Sequence, residues 1–345
     1  SYPQADIFTF CWNKKIWPEF SEFNVKTHPL GFFVRNHKMF QIFFPIIAFC
    51  MAFWNLKKYD LIISSSASTA KYIRNFSGYH ACYCYTPTRA VWFSNLYFSK
   101  KNLEFIIFKF FHPLLKYFDK KTSNYIDLFL TISNTSKINI LKIYGKDAVV
   151  ISAPIKDTFF TFASKQNYKK KLDYFVLVSR LEVWKKVEHV IDAFNINKLN
   201  LIVVGNGSLF DKINKKRNKN ISLIKYLCDY DLREIIFNSK AAICPTESEF
   251  GLVPIEAAAL GVPAVCYAKG EVLNIMKSDD RKKTYAFFYK KQNPKYLNSA
   301  VNELLASKVS KRDLKNQAKK FSGSFFRKKL ITEISKFMEA QNGCK

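Results

Sequence analysis

The chain has 345 residues, with 55 lysines and arginines against 27 aspartates and glutamates, so its formal charge is +28. An apolar content of 48% excludes a disordered or collagen-like chain, and the length favours two domains of ordinary size. The charge indicates a polyanionic partner, such as nucleic acid, anionic lipid or a phosphorylated substrate. Glycine occurs only 10 times, so each glycine at the end of a strand is informative.

The first half begins with an apolar stretch and continues with alternating strands and helices. The stretch covers residues 39–54 and is shorter than the roughly 20 residues that span a membrane. We interpret it as a buried helix, with a helix in the membrane interface, flanked by Lys38, Lys57 and Lys58, as the alternative. An amphipathic helix is predicted over residues 103–118. Strands are predicted over residues 59–66, 80–87, 127–134 and 149–154.

The second half repeats this alternation after a Lys- and Asn-rich segment, residues 156–172, which we predict to be the interdomain linker. Five strand candidates follow, and they begin near Tyr174, Leu199, Ile221, Ala241 and Pro263. Apolar strands that alternate with helices predict an α/β protein with two doubly wound, Rossmann-like parallel-sheet domains facing a cleft. Ligands of such sheets bind at the carboxyl ends of the strands. The residues that follow each strand are therefore the candidate site.

The cysteine pattern indicates a reducing compartment. Eight cysteines in 345 residues are too few for a secreted disulfide scaffold. Cys82 and Cys84 form the only close pair, and without a second pair or a nearby histidine they make a poor zinc site. The first residues show no signal-peptide pattern, so we expect a cytoplasmic protein.

Two motifs follow the first two strands of the second half. Arg180 and Lys185 stand between a strand and a helix, where two cations beside free helix N–H groups could hold a diphosphate. A solvated basic face is the alternative. Gly205 and Gly207 end the next strand, and their presence in a glycine-poor chain implies a close approach of the backbone or a positive φ.

The most specific motif is residues 245–263, PTESEFGLVPIEAAALGVP. A strand ends at Pro245, an acidic loop follows, and a helix is predicted from near Pro254 to Gly261. Glu256 would then lie in the first helical turn, where it could recognise hydroxyl groups or simply stabilise the helix dipole. With two acids before Phe250 and the two cations at the same sheet edge, hydroxyl recognition is the preferred interpretation.

Together these motifs resemble the retaining, nucleotide-sugar-dependent glycosyltransferases of family 4, which have the GT-B fold. The motifs are nearest those of the O-antigen mannosyltransferase branch, and the resemblance covers nearly the whole chain. It implies that a first strand and its glycine-rich turn precede Ser1. The matching segments are VSRLEVWKKV at 178–187, FGLVPIEA at 250–257, CYAKG at 266–270, YDLIISSS at 59–66 and CYCYTPTR at 82–89.

The resemblance implies three regions in the chain. Residues 1–158 would form an acceptor-side domain, and residues 159–320 a nucleotide-sugar-binding domain. Residues 321–345 would form a C-terminal helix that crosses back to the first domain.

The resemblance also implies a role for each motif residue. Arg180 and Lys185 would hold the donor diphosphate and stabilise the departing nucleoside diphosphate. Glu256 would accept hydrogen bonds from the ribose, and Arg89 and Tyr85 would lie on the acceptor side. The other implied residues are Glu247 and Glu249, which would orient the sugar, Gly205 and Gly207, which would admit the nucleotide, and Phe250, Gly251, Leu252 and Val253, which would contact the donor.

The implied reaction moves a hexosyl group, mannose from GDP-mannose, onto a lipid-linked or growing polysaccharide such as O-antigen. It needs no metal or other cofactor, and we expect Asp229-Tyr230-Asp231 to be a helix N-cap instead of a metal site. The expected partners are a nucleotide sugar, a lipid-linked glycan and the anionic inner face of the cytoplasmic membrane, which attracts lysine and arginine. No nucleic-acid partner is expected.

Two other functions are compatible with the sequence. A GT-B scaffold with impaired catalysis is suggested by Ser248, which stands where the family has a glutamate, and by Tyr85 and Ala67, which stand where it has histidines. A polyanion- or nucleic-acid-binding protein would show a clustered basic stripe with stacking aromatics, whereas the basic residues here are dispersed.

Overall fold

Two main parallel sheets, of four and six strands, organise the chain. The computed structural model describes residues 2–34, 36–93, 103–165, 172–247, 250–276 and 285–343. The chain divides into two compact units: unit 1 is Ser1–Ile151 with Lys329–Lys345, and unit 2 is Ser152–Lys328.

Unit 1 contains a small parallel pair of strands and a four-stranded parallel sheet. The pair is β1 (Ile7–Thr9) and β2 (Val25–Thr27). The sheet has the order β3-β4-β5-β6, with β3 at Leu61–Ser66, β4 at Tyr79–Cys84, β5 at Leu128–Thr131 and β6 at Val149–Val150. Ser66 pairs with Cys84, and Cys84 with Thr131, so the first three strands of this sheet end at one edge.

Five helices of unit 1 are described, and the apolar stretch at residues 39–54 forms two of them. They are α1 (His37–Ile42), α2 (Phe44–Phe53), α3 (Arg89–Trp92), α4 (Leu103–Thr122) and α5 (Asn134–Tyr144). The stretch is therefore not one helix: α2 begins after Phe43 with Pro45 in its first turn, where a missing N–H costs nothing. Ile47, Ala48 and Met51 of α2 are buried, whereas Ile46, Phe49 and Phe53 are about half exposed. Only one face of this helix therefore belongs to the core.

The described part of unit 2 contains six parallel strands in the order β12-β11-β10-β7-β8-β9. Its strands are β7 (Phe175–Val178), β8 (Leu201–Val204), β9 (Ile221–Ile224), β10 (Ala242–Cys244), β11 (Ala264–Tyr267) and β12 (Ala286–Tyr289). Its helices begin with α6 (Thr158–Lys165), α7 (Glu188–Asn197), α8 (Phe210–Lys216) and α9 (Asp229–Asn238). They continue with α10 (Leu252–Ala259), α11 (Val272–Ile275), α12 (Pro294–Ala306) and α13 (Lys311–Lys319). The final helix, α14 (Gly323–Asn342), begins in unit 2 and extends into unit 1.

The sheet of unit 2 explains why its strands are almost wholly apolar. Helices cover both faces of a doubly wound sheet, so side chains on both sides of each strand are buried. Phe175 and Leu177 of β7 and Ile243 of β10 belong to one core cluster. Val190 and Phe194 of α7 pack into the same cluster at helical spacing. The predicted α/β class with two Rossmann-like units is confirmed.

The order of these strands locates a ligand site. β7 lies between β8 and β10, and successive strands extend away from it in opposite directions. In open parallel sheets this switch in strand order leaves a crevice beyond the carboxyl ends of the two central strands. The loops that follow β7 and β10 flank this crevice. The first contains Arg180 and Lys185, and the second belongs to the motif at residues 245–263.

The segment predicted to be a linker contains a helix in its described part. α6 (Thr158–Lys165) buries Phe159 and Phe162, whose spacing forms an apolar face that the surrounding lysines and asparagines conceal in the sequence. The Ile155 N–H donates to the Phe321 carbonyl (3.0 Å), and residues 152–158 group with unit 2. The structure thus separates the units after Ile151, earlier than the boundary expected after residue 158.

The final helix contributes to both units. From Lys329 onward its residues group with unit 1, where Lys329 Nζ donates to the Val150 carbonyl (2.8 Å). The Phe337 ring meets the Tyr79 ring edge-on at 5.6 Å. Within the described ranges, no helix combines the length and the hydropathy needed to cross a membrane.

Candidate active site

Residues 179–186, which we call the clamp segment, follow β7 and carry Arg180 and Lys185. Val183–Lys185 form a 3-10 turn, and Lys186 takes a positive φ of 53° that leads the chain into α7. The Arg180 guanidinium carbon lies 5.1 Å from the centroid of the Trp184 ring, and Lys185 Nζ lies 4.3 Å from it. Because an aromatic face attracts cations, the indole keeps both predicted diphosphate ligands beside one ring.

Hydrogen bonds fasten the clamp segment to the neighbouring strand ends. These include Leu181 N–H to the Asn206 carbonyl (2.9 Å), Ser208 Oγ to Glu182 Oε2 (2.6 Å) and Thr246 Oγ1 to the Lys185 carbonyl (3.0 Å). The first two bonds connect the segment to the turn after β8, and the third connects it to the loop after β10. The clamp, glycine and acidic motifs are thus brought together by direct contacts.

The two glycines after β8 make the close approach that the sequence predicts. Gly205 and Gly207 have φ values of 151° and 154°. A Cβ atom on Gly205 would overlap the Ser179 carbonyl oxygen, and one on Gly207 would overlap that of Leu181. The group that comes close is therefore the backbone of the clamp segment. That the same glycines admit a nucleotide stays a prediction.

Replacing Trp184 tests whether its ring organises the two cations. We expect Trp184→Leu to weaken donor binding about fivefold, because it removes two cation–π contacts of roughly 0.5–1 kcal/mol each. Trp184→Phe retains an aromatic face and should stay within about twofold of the wild type. Isothermal titration with the donor nucleotide measures both effects. If Phe and Leu weaken binding equally, the ring acts by shape and not by its π face.

The acidic loop is joined to a second motif by an ion pair. Glu247 Oε2 lies 3.0 Å from Lys269 Nζ, and both side chains are exposed. Lys269 belongs to the CYAKG segment after β11, so the ends of β10 and β11 are linked. Ser248 and Glu249 lie outside the described residues, so the role of Glu249 stays a prediction.

α10 begins two residues before the predicted start. Gly251 has φ 81° and ψ 81° and caps the helix, so Leu252 and Val253 are its first two residues and their N–H groups have no intrahelical acceptor. Their predicted contact with the donor remains a prediction. The Phe250 side chain is only 4% exposed and lies edge-on to Phe321 at 5.9 Å. It anchors the loop, so a donor contact from Phe250 would come from its backbone.

The position predicted for Glu256 was wrong by one turn. Since α10 starts at Leu252, Glu256 is its fifth residue and lies in the second turn. The helix-dipole effect fades beyond the first turn, so the alternative interpretation of this carboxylate is weakened. The reason for the error is that Pro254 fits the first turn at its third position as well as at its first.

Glu256 is a mostly buried carboxyl group with an unusual pKa. Burial raises its pKa to about 7; Lys156 opposes the shift, and Asp229 reinforces it. Lys156 Nζ and Asp229 Oδ2 form an exposed ion pair at 2.6 Å. A carboxyl group whose pKa lies near neutrality is typical of functional sites.

Asp229 does not cap α9 as expected. Cys228 is the N-cap, and its Sγ accepts a hydrogen bond from the Asp231 N–H (3.4 Å). Asp229 is the first helical residue and pairs with Lys156. Among the residues that the structure describes, no group of three or more His, Cys, Asp or Glu side chains is arranged to hold a metal ion.

In unit 1 the loop after β4 carries the acceptor-side candidates Tyr85 and Arg89. The Tyr85 hydroxyl lies 3.2 Å from Ser65 Oγ at the end of β3. Arg89 is exposed and is the first residue of α3. Thr88, immediately before it, donates from Oγ1 to Asp119 Oδ1 (2.7 Å) in the interior. The loop is therefore tied to the core next to Arg89.

The interior group that holds this loop is a buried ion pair. Lys71 Nζ lies 3.2 Å from Asp119 Oδ1, and both side chains are fully buried. Asp119 also accepts hydrogen bonds from Tyr72 (2.6 Å), Trp92 (2.6 Å) and Tyr144 (2.7 Å). Burial would raise the pKa of Asp119, but the Lys71 ammonium and the hydrogen bonds from Tyr72, Trp92 and Thr88 hold it below its usual value.

The second unit matches a known protein family over most of its length. Residues 159–321 match the model of glycosyl transferases group 1. This segment is therefore similar to group 1 glycosyltransferase domains. A comparison with curated proteins gives no match.

Solved structures show the fold of the whole chain. Sucrose-phosphate synthase from Thermosynechococcus elongatus has a TM-score of 0.71 at 13% identity, over 98% of this chain and 90% of that one. HepE from Anabaena in complex with UDP has a TM-score of 0.68 at 14% identity, over 96% and 92%. The catalytic domain of starch synthase IV from Arabidopsis thaliana, bound to ADP and acarbose, has a TM-score of 0.58 at 13% identity, over 91% and 81%. The chain therefore has the GT-B fold.

Sequence reasoning missed three features near the predicted residues. In unit 2, Trp184 and the Lys156–Asp229 pair border predicted site residues. Trp184 could have been found because it stands between Arg180 and Lys185 in the sequence. Lys156 left no such signal, since its partner is 73 positions away. The Lys71–Asp119 pair of unit 1 was equally hidden, although Lys71 follows the YDLIISSS segment.

Proposed function

We propose that this protein is a retaining glycosyltransferase that moves a hexosyl group from a nucleotide sugar to a glycan. The observation that carries the proposal is the similarity to group 1 glycosyltransferase domains, with Arg180 and Lys185 at the switch point between β7 and β10. The structures of HepE with UDP and with UDP-glucose, and of starch synthase IV with ADP, support a nucleotide sugar as the donor.

The proposed chemistry depends on charge and position. As the bond from the sugar C1 to the diphosphate breaks, negative charge grows on the diphosphate, and Arg180 and Lys185 stabilise it. The acceptor oxygen forms a bond to C1 on the same face, and its proton passes to a diphosphate oxygen. Glu256 accepts hydrogen bonds from the ribose, and the Leu252 and Val253 N–H groups face the sugar and phosphate. The two side-chain cations supply the charge that a metal ion would otherwise provide.

The proposed substrates follow from the motif resemblance. The segments at residues 178–187 and 250–257 favour mannose from GDP-mannose as the donor. The acceptor would be a lipid-linked or growing cell-surface polysaccharide such as O-antigen. This places the protein at the inner face of the cytoplasmic membrane as a peripheral protein. An anionic leaflet there would attract a chain with a charge of +28.

Release of nucleoside diphosphate tests the proposal. We would incubate the protein with GDP-mannose, UDP-glucose or ADP-glucose, with and without a lipid-linked acceptor, and expect acceptor-dependent release of GDP. Turnover of UDP-glucose alone would replace mannose by glucose in the proposal. A folded protein without turnover on any of these donors would favour the impaired scaffold.

The raised pKa of Glu256 makes donor use depend on pH. Only the ionised carboxylate is a strong acceptor for the ribose hydroxyls, so kcat/KM for the donor should fall as the pH drops below about 7. Glu256→Gln should lack this acidic limb and show a lower plateau. A pH–rate profile measured from acidic to alkaline buffer decides this. An acidic limb that persists unchanged in the variant would assign it to another group.

The raised pKa of Glu256 also makes stability depend on pH, in the direction opposite to that of donor use. The folded state keeps the Glu256 proton up to a pH of about 7, whereas the unfolded chain releases it near 4.5. Stability should therefore fall as the pH rises through this window, by up to about 3 kcal/mol. Glu256→Gln removes this dependence, so urea unfolding at pH 8 should favour the variant more than unfolding at pH 4. An equal difference at both pH values would show that the pKa of Glu256 is the same in the folded and unfolded states.

A further inference from the structure

One face of α4 is packed against unit 1, and the opposite face is exposed and apolar. Phe110, Leu114 and Tyr117 are 81%, 61% and 62% exposed, respectively. Their spacing of four and three residues places them in one stripe along the helix. Leu115 and Asp119 on the other side are buried. Monomeric soluble proteins rarely expose a continuous row of such large apolar side chains, and a row of this kind marks an interaction surface.

Lysines border this stripe, and no exposed acid accompanies them between residues 109 and 125. Between residues 109 and 125 the exposed charged side chains are Lys109, Lys120 and Lys121, and the single acid, Asp119, is fully buried. Lys121 Nζ reaches back to donate to the Tyr117 hydroxyl (3.3 Å). We call Phe110, Leu114, Tyr117 and these three lysines the α4 face. It combines apolar side chains with positive charge alone.

A second exposed apolar row lies on the neighbouring helix α2. Ile46, Phe49 and Phe53 are about half exposed and follow helical spacing. The Arg74 guanidinium carbon lies 4.1 Å from the Phe53 ring centroid and 6.0 Å from that of Phe118 on α4. Another cation therefore stands where the end of the α2 row approaches α4. The apolar and basic character of the surface thus extends beyond one helix.

We propose that the α4 face docks this protein onto a lipid bilayer that contains anionic phospholipid. An amphipathic helix with aromatic and leucine side chains on one face and lysines beside them lies in the membrane interface, with its apolar side chains among the acyl chains. Lysine stems can lie along the apolar surface while their ammonium groups reach the phosphates. This inference rests on the proposed function only for the location of the acceptor, and it names the surface that would bring the enzyme to it.

Charge favours an anionic bilayer over a second copy of the chain as the partner of the α4 face. Two α4 faces in contact would place lysines against lysines, which is unfavourable. An anionic leaflet carries the opposite charge and attracts each nearby lysine by about 1 kcal/mol. A protein partner would need an acidic rim around an apolar groove, whereas a bilayer supplies both chemistries everywhere on its surface.

Vesicle sedimentation tests the docking surface. We expect the full chain to pellet with vesicles of phosphatidylcholine containing about one third phosphatidylglycerol, and not with phosphatidylcholine alone. Phe110→Ser/Leu114→Ser/Tyr117→Ser should lower the partition coefficient by about tenfold or more. Ile138→Ser/Leu141→Ser, which changes two half-exposed apolar residues of α5, serves as the matched control and should bind like the wild type. Circular dichroism confirms that the variants are folded.

A lysine variant and the salt dependence of binding test the contribution of the positive charges. Lys109→Gln/Lys120→Gln/Lys121→Gln should also weaken binding, and about 0.5 M salt should weaken wild-type binding in the same direction. Equal binding of the wild type and the triple serine variant would overturn the proposal. The proposal would also be overturned if the wild type forms a dimer without lipid and the triple serine variant is a monomer, since the face would then bind a second copy. Vesicle binding requires no turnover, so an inactive protein that still docks would contradict only the proposed function.

Discussion

Replacing Lys185 by alanine should reduce the rate of sugar transfer by about a hundredfold or more, which is the usual cost of losing one preorganised group that stabilises developing charge. Lys185 lies in the clamp segment beside Trp184, and its backbone carbonyl accepts the hydrogen bond from Thr246. The backbone of the segment is therefore held independently of the ammonium group, so the substitution removes charge while leaving the loop in place. Release of nucleoside diphosphate in a continuous coupled assay measures the loss. Arg180→Ala should behave in the same way.

The size of this effect should depend on position and not on net charge. Lys215 on α8 is an exposed lysine of the same unit, and Lys215→Ala should leave kcat/KM within about twofold. A comparable loss in both variants would indicate a general electrostatic effect of the basic surface. Unchanged transfer by Lys185→Ala would remove Lys185 from the diphosphate site.

Replacing Asp119 by asparagine should destabilise unit 1 by about 3–5 kcal/mol, because it leaves the fully buried Lys71 ammonium without its counter-charge. Two tyrosines, a tryptophan and a threonine also donate to the carboxylate, and an amide offers them only one acceptor oxygen. Urea unfolding followed by tryptophan fluorescence reports on this unit, since Trp12, Trp17, Trp54 and Trp92 lie in it and only Trp184 lies elsewhere.

Two comparisons show whether burial of the charges causes the loss of stability expected for Asp119→Asn. Asp147→Asn breaks an exposed ion pair with Lys137 (2.9 Å) and should change stability little. A double variant, Lys71→Met with Asp119→Leu, removes both buried charges and should be more stable than Asp119→Asn. A double variant less stable than the single one would mean that the hydrogen bonds, and not the charges, dominate.

Acidic pH should also lower the stability of unit 1 in the wild type. The pKa of Asp119 is held below its ordinary value, so its contribution to stability is present above the unfolded-state pKa of about 4 and is lost as the pH falls through the lower folded-state value. Thr88 connects the carboxylate to the loop that carries Arg89. The loop that carries Arg89 should therefore also become less ordered at acidic pH.

Several elements could be predicted because their signal is local. The strands of unit 2 are continuous apolar runs, which only a doubly covered parallel sheet buries, and all five predicted strands are confirmed. Ser133 precedes the helix Asn134–Tyr144, and its Oγ accepts the Ser136 N–H (3.1 Å), as serine commonly does at a helix N-cap. The helix over residues 158–165 was missed because its two buried phenylalanines stand among lysines and asparagines.

Gly205 and Gly207 were only partly predictable from the sequence. The low glycine count made Gly205 and Gly207 stand out, and the sequence alone determined that the backbone must approach another group there. Only the tertiary structure decided which group it is, namely the Ser179 and Leu181 carbonyls of the clamp segment. The partner is about 26 residues away along the chain and becomes adjacent only when β7 and β8 pair in parallel.

The sequence by itself determined the fold class, the motifs at the strand ends and the excess of positive charge, because periodicity, turn residues and composition are readable along the chain. The tertiary structure decided which charges matter. It buried Lys71 against Asp119, placed Arg180 and Lys185 on one indole, raised the pKa of Glu256 and left the lysines of α4 beside an exposed apolar stripe. Each of these effects depends on burial or on proximity between side chains, and both are properties of the folded chain.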